Sequence, residues 1–464
     1  MLNATASPMP GAILGSRSRA LLIAALAVLG LSGCAGQGAS TAAGTSAPAP
    51  SSSTIGAPSA SPPAHARPRP TRRTGTLSLI TEPNQGVAPV LGAIEHAKHT
   101  VALVMYEAED PQVDAALAAD EHRGVSVRVL LNHGDYGHGF PENQPAFAYL
   151  QAHGVPVRWT PSYFALTHQK TLVVDGTAYI LTFNFTPDYY ASSRDFGVVD
   201  SNRDDVSAIL QTFDADWSGR RVVPSDGTDL VWSPGSEQAL LNLIASAHGW
   251  MDVYNEEMDE ADVEQALEAD ARRGVDVEVT MTADPSWDAA FSELAAAGVH
   301  VRTYAADAPL YIHAKMIATS TSAFLGSENF SDASLLDNRE LGLILATPSI
   351  ITSLRHTFDA DYAGARPFKS AASSGSPNHA ASAPSSTGEC SASASYSSRY
   401  HDYDVYVHSN QPDMTVTVSD AAGRTASWHT NSSGYADVYF RAPGDAAGER
   451  LTAHVGAASC QATL

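Results

Sequence analysis

Apolar and polar positions between residues 76 and 368 follow two alternating periods, and the whole pattern runs twice. Compact apolar stretches such as 101–106 (VALVMY) read as strands, and the spacing of apolar positions over 89–98 reads as a helix. The predicted order is strand, helix, strand, helix, an Arg-Gly-Val turn and a strand. A further helix, a short Gly-Val strand and a strand opening on His168 and Lys170 follow. The second pass repeats this order. Leu79-Ile80 with Pro83 aligns with Leu230-Val231 with Pro234, residues 119–129 with 269–279, and 154–158 with 298–302. The offset drifts between 144 and 151, as insertions confined to loops would make it. Strands alternating with helices predict an α/β layered domain, present here as two fused units over 76–225 and 226–368. The repeat is too long for a solenoid.

The flanking segments are different in kind. Residues 17–34 hold two arginines, an apolar run of about a dozen residues, and Leu31-Ser32-Gly33-Cys34. The run is too short for a bilayer core of roughly 30 Å, so a cleaved export signal over 1–33 is expected. Its last four residues resemble a bacterial lipobox, which implies a lipid on Cys34; a plain signal with an incidental Cys is the alternative, and Met9 could be the start. Residues 34–75 are Ser-, Ala- and Pro-rich and read as a disordered tether reaching on the order of 35 Å. A similar linker spans 369–389.

In 390–464, period-two alternation broken by Gly, Pro and Asn predicts a small C-terminal all-β, sandwich-like domain. Cys390 and Cys460 bracket it. With Cys34 given to the lipid, these two form one disulfide worth about 4 kcal/mol by loop entropy, as suits an oxidising envelope compartment.

Charge narrows the function. The net charge is −23, and residues 76–369 carry 17 Lys+Arg against 42 Asp+Glu. A protein that tracks nucleic acid needs a basic stripe to displace counterions, and none is visible. Lysine is scarcer still. The chain has four, and two of them, Lys170 and Lys315, fall at matching positions of the repeat.

Those positions belong to two strings, HQKTLVVDGTAYILTFN at 168–184 and HAKMIATSTSAFLGSEN at 313–329. Each has a Lys two residues after the His, and Asn184 or Asn329 sixteen residues after it. Arg194-Asp195 and Arg339-Glu340 then follow, one in each half. On a strand, His168 and Lys170 would share a face, as would His313 and Lys315.

The doubled string resembles the signature of the phospholipase D superfamily. His168, Lys170 and Asp175 complete the first copy, whereas the second has Ser320 at the Asp position. The later turn is intact at Gly326-Ser327-Glu328-Asn329 and altered at Leu181-Thr182-Phe183-Asn184. The resemblance covers residues 76–368. It implies two α/β/α layered domains about a pseudo-two-fold axis, with both signatures in one pocket. One imidazole would attack phosphorus and the other protonate the leaving oxygen. His168 is taken as nucleophile and His313 as acid, the reverse assignment remaining open.

Lys170, Lys315, Asn184 and Asn329 would hold the phosphoryl oxygens, each lysine contributing about 4 kcal/mol at 4 Å and an effective dielectric of 20. Thr182 and Ser327 are candidate substrate contacts. Asp195 and Glu340 would accept the Nδ1 protons, and Asp175 would be a supporting member. The positive charge is built in, so neither metal nor cofactor is implied. Arg194 and Arg339 read as structural ion-pair formers. The loop 132–139, with His133, Asp135 and His138, reads as a lip of the pocket and not a metal site. The acidic run 256–264 reads as a strand end leading into a solvated helix.

Three functions fit these residues. The first is a phosphodiesterase on glycerophospholipids at a membrane surface. The second is a secreted metal-independent nuclease of the same superfamily. The third is a non-enzymatic envelope lipoprotein with a decayed second motif. An exported monomer, lipid-anchored to the envelope, is expected, and Ala35 after Cys34 resembles outer-membrane sorting where two membranes exist.

Overall fold

The computed structural model describes residues 75–134 and 140–369. Of 390–463 it describes all but 398–401, 412–413, 431–434, 441–447 and 457. The export signal, the tether with Cys34, most of the linker, and Asp135 and His138 lie outside the described residues.

In the first half the chain runs through β1 (Leu77–Glu82), α1 (Ala88–Glu95), β2 (Thr100–Met105), α2 (Pro111–His122), β3 (Ser126–Leu131), α3 (Gln144–Ala152) and β4 (Val157–Trp159). It continues through β5 (Thr171–Val174), β6 (Thr177–Leu181), β7 (Ser193–Asp200) and α4 (Arg203–Trp217). The sheet order is β1-β7-β6-β5-β2-β3-β4. The second half supplies β8 (Leu230–Ser233), α5 (Glu237–Ala245), β9 (Trp250–Tyr254), β10 (Met258–Asp259), α6 (Ala261–Arg272), β11 (Asp276–Thr282), α7 (Asp288–Ala297) and β12 (His300–Tyr304). Then come β13 (Tyr311–Ile312), β14 (Lys315–Thr319), β15 (Ala323–Gly326), β16 (Phe330–Ser331), β17 (Glu340–Leu345), α8 (Pro348–Gly364) and β18 (Arg366–Pro367). Its sheet order, β18-β12-β11-β9-β14-β15-β17-β8, repeats the first with one added edge strand.

Local sequence explains the elements. Pro111 opens α2, with the Asp110 side chain accepting from the Gln112 N–H; Glu260 does the same for α6 through the Val263 N–H. In α4, Val206, Ile209 and Phe213 are buried at helical spacing. All four residues of β5 are buried, as expected for a strand covered on both faces.

Three apolar clusters result. One lies between α1–α3 and the first sheet, and one between α5–α7 and the second. The third is shared. It joins Phe196 and Phe213 of the first half to Trp232, Met316, Leu341 and Phe358 of the second, with α4 and α8 both contributing. The halves are therefore fused through a common apolar layer, about which their sheets are duplicated.

The C-terminal segment forms two antiparallel sheets, β19 (Cys390–Ser397), β20 (Asp402–Ser409) and β23 (Tyr435–Phe440) against β22 (Thr425–His429), β21 (Thr415–Asp420), β24 (Arg450–Val455) and β25 (Ala458–Thr463). Alternate residues Val405 and Val407, Val416 and Val418, and Leu451 and Val455 fill one core. Cys390 and Cys460 are disulfide-bonded, which ties one sheet to the other. Among the described residues no helix is long and apolar enough to cross a membrane.

Candidate active site

The halves are stitched by two matching backbone contacts. β13 runs parallel to the start of β7, with Ile312 opposite Arg194, and Thr167 bridges Arg339 in the same way. The histidines follow directly. His168 and Lys170 precede β5, and His313 precedes β14, so the paired residues lie on extended backbone entering the strands. The expectation that they sit on a strand holds for Lys315, the first residue of β14, and is corrected for His168, Lys170 and His313, which precede the strands where the N–H groups of Gln169, His313 and Ala314 bond to the opposite half. His168 thus lands beside Glu340, and His313 beside Asp195.

Each imidazole is held by a carboxylate of the other half. His168 Nδ1 is 2.9 Å from Glu340 Oε2, with the Ser327 carbonyl at 3.1 Å. His313 Nδ1 is 2.9 Å from Asp195 Oδ1. Both Nδ1 atoms face acceptors only, so each carries a proton. Glu340 also accepts from Ser334 Oγ at 2.7 Å and Asn338 Nδ2 at 3.2 Å. The preceding arginines cross too. Arg194 pairs with Asp361 of α8 and Arg339 with Asp216 of α4, all four side chains buried.

Lys170 and Lys315 are fully buried and curl back to donate to the carbonyl of their own His at 2.7 Å. Burial, followed by repulsion from Lys315, brings Lys170 down to about 7. Burial pushes His168 down to about 4, with Lys170 and Lys315 acting the same way against Glu340. The lysine of the second half thus acts on the His and Lys of the first, as it must if both signatures line one pocket. Burial also lowers His313, against Asp195 and Glu256.

Several expected roles change. Thr182 and Ser327, read as substrate contacts, are fully buried and already engaged. Thr182 Oγ1 donates to Asp195 at 2.5 Å, and Ser327 Oγ accepts from the Leu341 N–H at 3.1 Å. They brace the two carboxylate-bearing strands, Thr182 at β7 and Ser327 at β17. Asp175, grouped with the catalytic set, lies at the far end of β5. Its carboxylate accepts the N–H groups of Lys98, His99 and Thr100, and these bonds hold its pKa below the ordinary value against some burial. It closes the start of β2 and is remote from the pocket. Ser320 makes a lesser substitute through one bond to the His248 carbonyl.

Asn184 and Asn329 point their amides at carboxylates, Asn184 at Glu107 (2.9 Å) and Asn329 at Glu257 (2.7 Å). The acidic run is accordingly not all solvated helix. Glu256 and Glu257 turn into the site, and α6 begins only at Ala261. Burial raises Glu257 to about 7, and burial with Glu340 raises Glu328 well above the carboxylate range. Glu328 lodges against Gly326 and Gly342, where added Cβ atoms would fall 2.2 and 2.9 Å from its Oε2. Leu181 and Phe183 take the corresponding places of Gly326 and Glu328 in the first half. His133 stacks on Trp159 at 4.8 Å. Sequence reasoning missed Tyr106, Glu107, Glu256 and Glu257. Their one signal was a position immediately after the second strand of each half.

The pKa values set a pH dependence for anion binding. The Lys170 ammonium is present below about 7 and lost above it, and Glu257 gains its negative charge near the same pH. Sulfate, which does not itself titrate there, is expected to bind less tightly as pH rises from 6 to 9, with proton uptake on binding at pH 8. Calorimetry in two buffers of different ionisation enthalpy measures this. An affinity constant across that range would refute it.

A family model described as "Cardiolipin synthase, PLD-like domain" matches residues 90–217 and 240–362, one stretch in each half. Phospholipase D Z of Dictyostelium discoideum is 30% identical over 120 residues, which are 23% of this chain and 28% of that protein. The chain therefore spans little more than a quarter of that relative. Among solved structures, phosphatidylserine synthase of Haemophilus influenzae superposes with a TM-score of 0.51 at 10% identity, covering 63% of this chain and 88% of that one. Polyphosphate kinase of Porphyromonas gingivalis gives 0.50 at 15% identity, over 61% and 47%. At such identities these two share the fold alone. With more than half of its length matched by the family model, and a His, a Lys and an Asn of the signature in each half, this chain belongs to the phospholipase D-like family that takes its description from cardiolipin synthase.

Proposed function

We infer that this protein is a phosphodiesterase of the phospholipase D type. It would release the headgroup of a glycerophospholipid, or transfer the phosphatidyl group to an alcohol, through a phosphohistidine. The observation that carries this reading is the exchange of carboxylates between halves. Each imidazole has its Nδ1 proton anchored, which leaves Nε2 for chemistry, and the buried lysine two residues on donates to the backbone carbonyl of that histidine. Such an arrangement can supply attack on phosphorus, protonation of the leaving oxygen, and charge to meet the phosphoryl oxygens. His313, Lys315 and Asn329 of the second half are hydrogen-bonded as their counterparts in the first half are, and this supports an intact site over a decayed one. The acidic balance of residues 76–369 favours a lipid over a nucleic acid. The membrane-surface setting and monomeric state rest on the lipobox-like Cys34 segment and on composition, as sequence-based proposals.

The test is a mixture of purified protein, chelator, phosphatidylcholine and phosphatidylethanolamine vesicles, single-stranded DNA and ethanol. Headgroup release with formation of phosphatidylethanol is the expected result. DNA cleavage without lipid turnover would make it a nuclease. Inertness even towards bis(p-nitrophenyl) phosphate would make it a non-enzymatic envelope protein.

A further inference from the structure

The half-sites are built from equivalent positions and differ sharply at one. β2 faces β5 with Val104 opposite Thr171, and β9 faces β14 with Tyr254 opposite Met316. By that register Tyr106 corresponds to Glu256, and Glu107 to Glu257. Glu107 and Glu257 behave alike, each taking an amide proton from the signature Asn. Tyr106 and Glu256 do not. Tyr106 sets its ring edge-on to His168, with centroids 4.5 Å apart, and the Lys170 Nζ lies 4.8 Å from the ring centre. Glu256 puts Oε2 2.7 Å from Lys315 Nζ and 3.3 Å from His313 Nε2, while its Oε1 accepts from the Tyr311 hydroxyl at 2.8 Å.

His313 therefore has a carboxylate at each ring nitrogen, Asp195 at Nδ1 and Glu256 at Nε2. The Nδ1 contact is a hydrogen bond and the Nε2 contact an ion pair at 3.3 Å, so the imidazolium gains from both. His168 has acceptors at Nδ1, among the described residues no carboxylate contact is formed by its Nε2, and an aromatic ring packs edge-on against the imidazole.

We propose that Glu256 is the positioning residue that makes the halves unequal, holding His313 as the proton donor and so leaving His168 as the nucleophile. This rests on the phosphodiesterase reading above. In the first step a P–N bond forms at His168 Nε2 and the P–O bond to the leaving group breaks. The leaving oxygen displaces Glu256 from His313 and takes the Nε2 proton. In the second step neutral His313 accepts a proton from water, whose oxygen attacks phosphorus and releases His168. The charged and titratable groups facing His313 are Asp195 from β7, Glu256 beyond β9, Tyr311 from β13 and Lys315 from β14. Burial lowers both imidazoles, but only His313 has a second carboxylate opposing that effect.

Two measurements test the proposal, with Glu256→Gln and the conservative Glu256→Asp. The first needs no substrate, and so separates this proposal from the reading beneath it. Imidazole nitrogen NMR of the wild type should show His313 staying doubly protonated to a higher pH than His168. E256Q should shift the His313 titration to lower pH, and E256D should restore part of the shift. The second is kcat/KM for two leaving groups. E256Q should lose about 10²-fold or more on a short-chain phosphatidylcholine, whose alkoxide must be protonated, and less than about tenfold on bis(p-nitrophenyl) phosphate. Quenched wild-type protein should carry phosphorus on His168. An unmoved His313 titration, equal losses on both substrates, or phosphorus on His313 would each overturn it.

Discussion

His168→Asn should abolish diester turnover, with a loss on the order of 10⁴–10⁶-fold in kcat, and His313→Asn should do nearly the same on an alkyl diester. The geometry requires both. His168 and His313 are buried to within 8% and 3% exposure, and each is locked through Nδ1 to a carboxylate from the opposite half. The neighbouring carboxylates are already engaged, Glu340 and Asp195 by the imidazoles and Glu107 and Glu257 by the signature asparagines. Because the two rings act in one cycle, the double variant should be hardly worse than either single one, in contrast to independent contributions. Asparagine keeps a donor for Glu340 or Asp195, so circular dichroism and thermal midpoint should remain close to wild type. Retention of more than about one hundredth of the activity in H168N would show that phosphorus is not attacked there.

Arg194→Met is expected to cost about 3–5 kcal/mol of stability, read as a fall in the urea midpoint. Arg194 makes two bonds to Asp361 and also donates to the Glu82 carbonyl, while Tyr254 donates to the same Asp361 at 2.7 Å. Removing the guanidinium leaves Asp361 ionised in a dry seam between the halves. Desolvation of the orphaned charge, more than the lost attraction, sets the size of the effect. The companion variant Arg194→Met with Asp361→Leu removes both charges and should recover most of the loss. By contrast, Arg272 pairs with Glu268 while 62% exposed, and its replacement should cost at most about 1 kcal/mol. A deficit below about 1 kcal/mol in R194M would mean that the seam is wetter than its burial indicates.

Much of the candidate site is legible in the sequence. Scarce lysines at Lys170 and Lys315, the matched asparagines, and the Arg-Asp and Arg-Glu pairs all fall in or beside it. The partnering was not legible. A carboxylate twenty-seven residues after a histidine looks as available to that histidine as to its twin. Only the parallel pairing of β13 with β7, and of Thr167 with Arg339, sends each one across. Thr182 and Ser327 were misread because hydroxyls in a signature look ligand-directed until their partners are known. Asp175 was grouped with the site by its place in the signature, although the four residues of β5 carry it to the other end of the strand. Glu256 and Glu257 were hidden inside a run of acids, where charge suggests solvent.

From the residues alone came the duplicated α/β units, the small disulfide-linked β-domain, the family, and the histidines and lysines of the candidate site. These follow from periodicity and composition, which are local properties that each segment expresses wherever it packs. Tertiary structure alone decided which half serves which, that Asn184 and Asn329 spend donors on buried acids, and that Tyr106 and Glu256 make the twins unequal. Those facts depend on separations of a few ångströms between positions up to 172 residues apart, as His168 and Glu340 are. Hydrogen-bond and charge energies fall away steeply at that scale, so spacing along the chain cannot specify them.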